Sequence, residues 1–352
     1  MVWAAFESLG SRNAALSHPR EAFMTNLGRL YSMLDGVKLP DDLPYSQVSS
    51  WELRFLYLLG RHRLTGEDRL VELGSGGGGS TYALALGLRD SPVFDEKTGR
   101  LHAYDFFHVG KGTFATEKFF SAGSKPADGD TSFLDDFRER LHPFLPFLEI
   151  HAGDIWQTSD PDDTSPIEFL HIDIAKTARV FRCVSERFLT RLRPGSVVLH
   201  QDFAGPRLPW LHHSTGALLP YIEIAGPPIR STLAFEVTKP IPEDVLRRIS
   251  EDAFTYEEKL KLISAVQERV DRDHTGGIPF KSVLELAKAY VAHYDGRHKQ
   301  AWSIARKLTD DEYLSRTRAD HFEQLRTAYE KDGGSAGSGS LLTRLSKKFA
   351  GR

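Results

Sequence analysis

From Arg69 onward the apolar positions arrive in short unbroken runs. "RLVEL" (69–73), "RLHAYDFF" (100–107), "FLEIHAGD" (147–154), "IEFLHIDI" (167–174) and "SVVLHQDF" (196–203) are too short and too continuous for amphipathic helices, and they read as buried strands. Between them, "STYALALGLR" (80–89), "SFLDDFRERL" (132–141) and "ARVFRCVSERFLTRLRPG" (178–195) carry helical spacing, the last with a Pro-Gly stop. Strands alternating with helices predict an α/β fold, a doubly wound and mostly parallel sheet with helices on both faces. "PYIEIAG" (220–226) and "STLAFEVTK" (231–239) suit two late antiparallel strands that close one edge.

The flanks have a different texture. "REAFMTNLGRLYSMLDG" (20–36) and "SSWELRFLYLLGRHRL" (49–64) read as helices, with Ser49 or Ser50 as the cap of the second. After Pro242, "PEDVLRRISEDAF", "YEEKLKLISAVQERV", "FKSVLELAKAYVAHY" and "KQAWSIARKLT" are successive amphipathic helices without a repeat period. The expected organisation is a helical segment or lid over 1–64, an α/β domain over 65–240, a helical region over 241–332, and a linker with a basic tail over 333–352. "GGSAGSGS" (333–340) has the composition of a flexible linker, and "LLTRLSKKFAGR" beyond it reads as a frayed tail or a reversible membrane or partner contact.

Composition narrows the function classes. The 352 residues allow one large domain with appendages or two modest ones. A formal net charge of −3 gives no reason to expect nucleic acid. The single cysteine, Cys183, excludes an internal disulfide and a cysteine-based zinc cluster, and it falls inside an apolar helix pattern as a core residue. No apolar segment approaches the ~20 residues of a membrane span. The first residues make a poor secretion signal, so a cytoplasmic protein is expected.

The chemistry begins at "RLVELGSGGGGSTYALAL" (69–86), a strand, a crowd of glycines and a helix. A phosphate-binding P-loop needs a lysine after its second spaced glycine; Gly74 and Gly79 have the spacing, but Ser80 stands in the lysine's place. A dinucleotide fingerprint is met literally by Gly74, Gly76 and Gly79, with Asp105 as the later acid, yet a run this rich in glycine meets many patterns. The third reading is E-x-G-x-G-x-G, with Glu72, Gly74, Gly76 and Gly78. A carboxylate two residues before the first glycine suits a ligand with a positive ammonium, and a buried carboxylate needs a partner.

On those residues "VELGSGGGG" resembles motif I of the class I S-adenosylmethionine-dependent methyltransferases, including Ser75. The resemblance runs over roughly residues 50–240 in the family's order. It implies that Asp105 holds the ribose hydroxyls and Phe106 packs on adenine. Asp154 would meet the adenine amino group, Ile155 would cover the ring, and Asp173 would lie beside the transferable methyl. "LRPGSVVLHQDF" is similar to the family's fifth strand.

The same resemblance implies where the reaction takes place. Methyl transfer is an in-line displacement in which the enzyme positions the partners and, for an oxygen nucleophile, masks a proton. The candidates are Asp173, Lys176, His200, Gln201 and Asp202, with His212 and His213 on an expected loop over the substrate. "HID" and "HQDF" are similar to metal-dependent O-methyltransferases of the catechol and macrocin types, which implies a Mg²⁺ on Asp173 and Asp202. Gln201 departs from that pattern, replacing the first member of an acid pair. Without a metal, His200 or His212 is the candidate base. The expected function is methylation of oxygen on a small-molecule or saccharide-like acceptor. The rival is a non-catalytic scaffold with a retained or vestigial cofactor pocket. Acceptor pockets are built from loops and lids, so these motifs leave the acceptor open.

Overall fold

The apolar runs pair with one another as expected. The computed structural model describes residues 26–110, 116–120 and 131–334. Its strands are β1 (Arg69–Leu73), β2 (Leu101–Asp105), β3 (His108–Val109), β4 (Thr131–Ser132), β5 (Leu148–Ala152), β6 (Ile167–Ile172), β7 (Leu192–His200), β8 (Ile222–Ile224) and β9 (Leu233–Val237). Seven of them form one sheet in the order β5-β2-β1-β6-β7-β9-β8, and β3 pairs with β4 apart from it. β5, β2, β1, β6 and β7 are parallel, whereas β9 runs antiparallel to both β7 and β8. The chain starts at β1, winds outward through β2 to β5, then returns to β6 on the other side. The β1–β6 boundary is therefore the point where the winding reverses, and a crevice opens there beyond the carboxyl ends of the strands.

The helices are α1 (Leu27–Met33), α2 (Ser50–His62), α3 (Gly79–Arg89), α4 (Leu134–Arg140), α5 (Ile155–Thr158), α6 (Ala178–Arg187) and α7 (Pro209–Leu218). They continue with α8 (Glu243–Ser250), α9 (Tyr256–Gln267), α10 (Phe280–Tyr294), α11 (His298–Ala305), α12 (Glu312–Thr317) and α13 (Ala319–Lys331). Ser49 caps α2 in a reciprocal box, its Oγ accepting from Glu52 N while Glu52 Oε2 accepts from Ser49 N. Residues 1–25 of the expected amino-terminal segment, and the linker and basic tail from 335, lie outside the described residues. No helix among the described residues is long and apolar enough to cross a membrane.

The sheet carries a hydrophobic cluster on each face. One holds Phe55, Leu59, Leu84 and Phe137 from α2, α3 and α4. The other joins Phe181 of α6 and Phe203 to Phe280 and Tyr290 of α10, so the carboxyl-terminal helices pack onto the same core as the sheet. Each such side chain contributes about 1.5–3 kcal/mol by leaving water. One sequence expectation is corrected here. Pro194–Gly195 does not stop a helix outside the strand, because α6 already ends at Arg187 and β7 begins at Leu192. The β6–β7 register shifts between Ile167 and Phe169, and Gly195 at φ +94° lies in the irregular stretch of β7, where a proline without an N–H costs no ladder bond.

Candidate active site at the carboxyl edge of the sheet

The glycine loop leaves β1 toward the crevice and feeds α3. Gly74, at φ +98°, lies against the backbone of Asp173, where a Cβ would come within 3.0 Å of its carbonyl carbon. Gly76, at φ +49°, faces open space, with Phe119 the nearest group to a notional Cβ at 3.9 Å. Gly78 sits at φ +94° as the cap of α3, its N–H donating to Ser75 O. Glu72 is not at the ligand face, which corrects the expectation that its carboxylate meets an ammonium. It is fully buried, accepts from the Thr81 hydroxyl and from Ser75 Oγ at 3.3 Å, and lies 3.2 Å from His171 Nδ1. Burial alone would hold His171 below its ordinary value; the hydrogen bond and charge of Glu72, aided by Asp173, outweigh it and raise the imidazole. Glu72 thus ties β1, the loop, α3 and β6 together from inside. Ser75 is likewise spent on this interior contact.

Asp105 closes the other side of the loop. Its Oδ2 accepts from Gly76 N at 2.9 Å and its Oδ1 from Phe107 N at 2.7 Å, which fixes the carboxylate at the end of β2. Burial pushes its pKa up, against the pull of those two N–H groups. Phe106 beside it is 57% exposed, an apolar ring left in water at the crevice. Asp154 caps α5, accepting from Trp156 N at 2.9 Å through Oδ1. Ile155 is buried in the α6-side cluster.

Beyond β6 and β7 the structure brings three charged groups together. Lys176 Nζ donates to Asp173 Oδ1 at 2.6 Å and to Asp202 Oδ2, so one ammonium bridges both carboxylates. Asp202 takes φ +61°, a strained conformation for a side chain that is not glycine. Gln201 turns away, its Oε1 accepting from Thr232 in the interior. These residues do not fit a Mg²⁺ ion. The place between Asp173 and Asp202 is held by a cation of the chain itself, and the amide that would complete an oxygen set is engaged elsewhere.

The histidines lie deeper than this edge. His212 and His213 are not on a loop but inside α7, and both are buried, His213 at the wall of a cavity beside Lys176. His212 Nε2 lies 2.8 Å from Phe203 O, and burial holds its pKa down to about 4. His200 ends β7 with its ring stacked on Phe181, and burial holds it down to about 3. Its Nε2 and the Nδ1 of His212 have no hydrogen-bond partner among the described residues. Both are neutral core side chains, which corrects their assignment as candidate bases.

A cavity of about 450 Å³ opens next to Lys176, between α6, α7 and the carboxyl-terminal helices. Phe181, Trp210, Phe254, Tyr256 and Tyr294 line it. Sequence reasoning did not single out these aromatics; their only common signal is ring content, spread over more than a hundred residues of chain.

The strand order, the reversed β9 and the glycine loop at the switch point agree. The fold is that of the class I methyltransferases. No family model matches the chain, and no curated protein sequence matches it. Among solved structures it is similar to an O-methyltransferase from Bacillus cereus in complex with SAH, at 17% identity over 62% of this chain and 99% of that one, with a TM-score of 0.37. It is also similar to the calicheamicin methyltransferase CalS11, at 15% identity over 64% and 99% of the two chains with a TM-score of 0.39. NovP, an O-methyltransferase, follows at 14% identity over 60% and 98% with a TM-score of 0.40.

Proposed function

We propose that this protein is an S-adenosylmethionine-dependent methyltransferase acting on an oxygen of a small-molecule or saccharide-like acceptor. The observation that carries the reading is the Lys176-bridged pair of Asp173 and Asp202 at the crevice where the glycine loop and Asp105 also converge. Asp105, fixed by two backbone N–H groups, keeps lone pairs for a diol such as a ribose. Phe106 offers an apolar face beside it, and Asp154 and Ile155 stand at the next strand end for a base. When bound, S-adenosylmethionine supplies an electrophilic methyl carbon on a positively charged sulfur.

The chain's own residues then act on the acceptor. Asp202 or Asp173 would accept the hydrogen bond of the acceptor hydroxyl and take its proton. The Lys176 ammonium stabilises the negative charge that grows on the oxygen, the task a metal performs in related chemistry. The aromatic cavity beside Lys176 suits the apolar face of a sugar ring or a planar small molecule.

Calorimetric titration with S-adenosylhomocysteine, with NAD⁺ and ATP as controls, tests the cofactor reading. Saturable binding of S-adenosylhomocysteine alone is expected, followed by transfer of labelled methyl to hydroxylated acceptors. Silence with all three ligands would favour the scaffold reading, and binding of NAD⁺ instead would overturn the assignment of the loop.

A further inference from the structure

We infer that His102, Glu149 and His151 form a site for a divalent transition-metal ion of the zinc class, which ties the edge strand β5 to β2. The site lies on elements other than those carrying Asp173, Lys176 and Asp202, and it stands or falls independently of the methyl-transfer reading.

The strand register builds it. β2 and β5 pair in parallel with His102 opposite Glu149 and Tyr104 opposite His151. Alternation along the strands therefore puts His102, Glu149 and His151 on one face of the sheet. His102 Nδ1 lies 3.1 Å from His151 Nε2 and 3.3 Å from Glu149 Oε2, and all three donor atoms fall within 4.8 Å of one another. Zinc bonds of about 2.0–2.1 Å in a tetrahedron require neighbouring ligand atoms roughly 3.3 Å apart. The first two separations already match that edge.

The surroundings hold the donors in place. The Tyr104 ring stacks on His151 at 4.1 Å with 7° between the planes. Arg100 Nε sits 3.6 Å from Glu149 Oε1, which leaves Oε2 facing His102. The two other nearby guanidiniums, Arg69 and Arg191, are both paired with Asp163. One proton on His102 Nδ1 shared between His151 Nε2 and Glu149 Oε2 makes two long, weak contacts at 3.1 and 3.3 Å. A cation answers all three lone pairs at once. Two imidazoles and one carboxylate select zinc-class ions over Mg²⁺, which prefers oxygen alone. Access is from the sheet's free edge, where the Glu149 side chain is 47% exposed. β2 ends in Asp105 and β5 leads into Asp154, so a metal here clamps together the two strands that carry those acids.

The test uses the full-length protein, stripped with chelator and then titrated with Zn²⁺, with Mg²⁺ as control, by calorimetry and thermal unfolding. One tight equivalent of Zn²⁺ that raises Tm is expected, with no response to Mg²⁺. His151→Gln and Glu149→Gln change partly exposed positions and should unfold like the parent without metal. Each should lower Zn²⁺ affinity roughly tenfold or more. The Asp173→Asn/Asp202→Asn double variant should keep it unchanged. Absence of saturable Zn²⁺ binding by the parent, or full affinity in His151→Gln, would overturn the site.

Discussion

One residue separates His171 from Asp173 at the end of β6, and one separates His200 from Asp202 at the end of β7. The histidines lie in the interior, one paired with Glu72 and the other stacked on Phe181. The aspartates stand at the rim, sharing Lys176 and reaching solvent beside the aromatic cavity. The same strands thus present two layers of polar side chains with opposite fates. The inner layer is packed in the dry core. The outer layer keeps its charges, because each is compensated and still open to a ligand. Residue type does not decide which side chain reaches the rim; its position at the strand end does.

The largest expected effect tests the outer layer. If an acceptor hydroxyl is handled by Asp202 and Lys176, then Asp202→Asn and Lys176→Met should each lower kcat by about 10²–10⁴-fold. Affinity for S-adenosylhomocysteine should change little. Adding Mg²⁺ to chelator-treated protein should leave the rate unchanged. A rate that needs Mg²⁺, or a Lys176→Met enzyme that Mg²⁺ rescues, would show that the ammonium merely fills in for an ion.

The inner layer should show itself in stability against pH. His200, His212 and His213 are held at about 3, about 4 and about 3 by burial, well below their ordinary value. The unfolded chain therefore binds protons that the folded chain refuses. The stability these groups contribute is complete above about pH 6.5 and drains away as the pH falls toward 4. Between pH 6.5 and 5.5 each should withdraw about 1 kcal/mol, or about 3 kcal/mol for the three. His171 runs the other way. Its raised value makes its contribution present in acid and lost only as the pH rises through that value, so it adds nothing to the acid loss. Urea unfolding at pH 7, 6.5 and 5.5 measures the slope, and a flat profile would mean that these rings are hydrated.

A smaller effect belongs to the cofactor side. Asp105→Ala removes a carboxylate that both orders the loop through Gly76 N and faces the crevice. S-adenosylhomocysteine affinity should drop by about 10–100-fold, the weight of one or two hydrogen bonds to a charged group. Unchanged affinity in calorimetry would remove Asp105 from the site.

Much of this was legible in the sequence, and the rest was not for identifiable reasons. The alternation of short apolar runs with helical stretches wrote the sheet, because strands buried in a parallel sheet must be apolar throughout. The Ser49–Glu52 box wrote the start of α2 in four adjacent letters. "HQDF" named three polar residues in a row but not their depth, which is set by Phe181 and α7, both supplied by other parts of the chain, packing with Phe203. Glu72 was recognised as a carboxylate in need of a partner, yet the partner, His171, lies ninety-nine residues away on β6. The bridge from Lys176 to Asp173 is local, whereas its second arm to Asp202 depends on β6 and β7 being neighbours. The β3–β4 pair is two residues long on each side, too short for any periodicity to register.

The smallest expected effect is the sharpest test of the comparison. His200 lies two positions before Asp202, and in the sequence it is as good a candidate base. Its Nε2 is buried without a hydrogen-bond partner among the described residues, and its ring already stacks on an aromatic neighbour. Replacing it with phenylalanine removes a polar atom that costs free energy to bury and keeps a ring of similar size. His200→Phe should therefore leave kcat within about twofold and the stability at pH 7 equal or higher, and it should remove roughly a third of the acid-dependent loss. A hundredfold fall in kcat without a change in stability would mean that a proton does travel from the rim to the interior, and the division between the two layers would not hold.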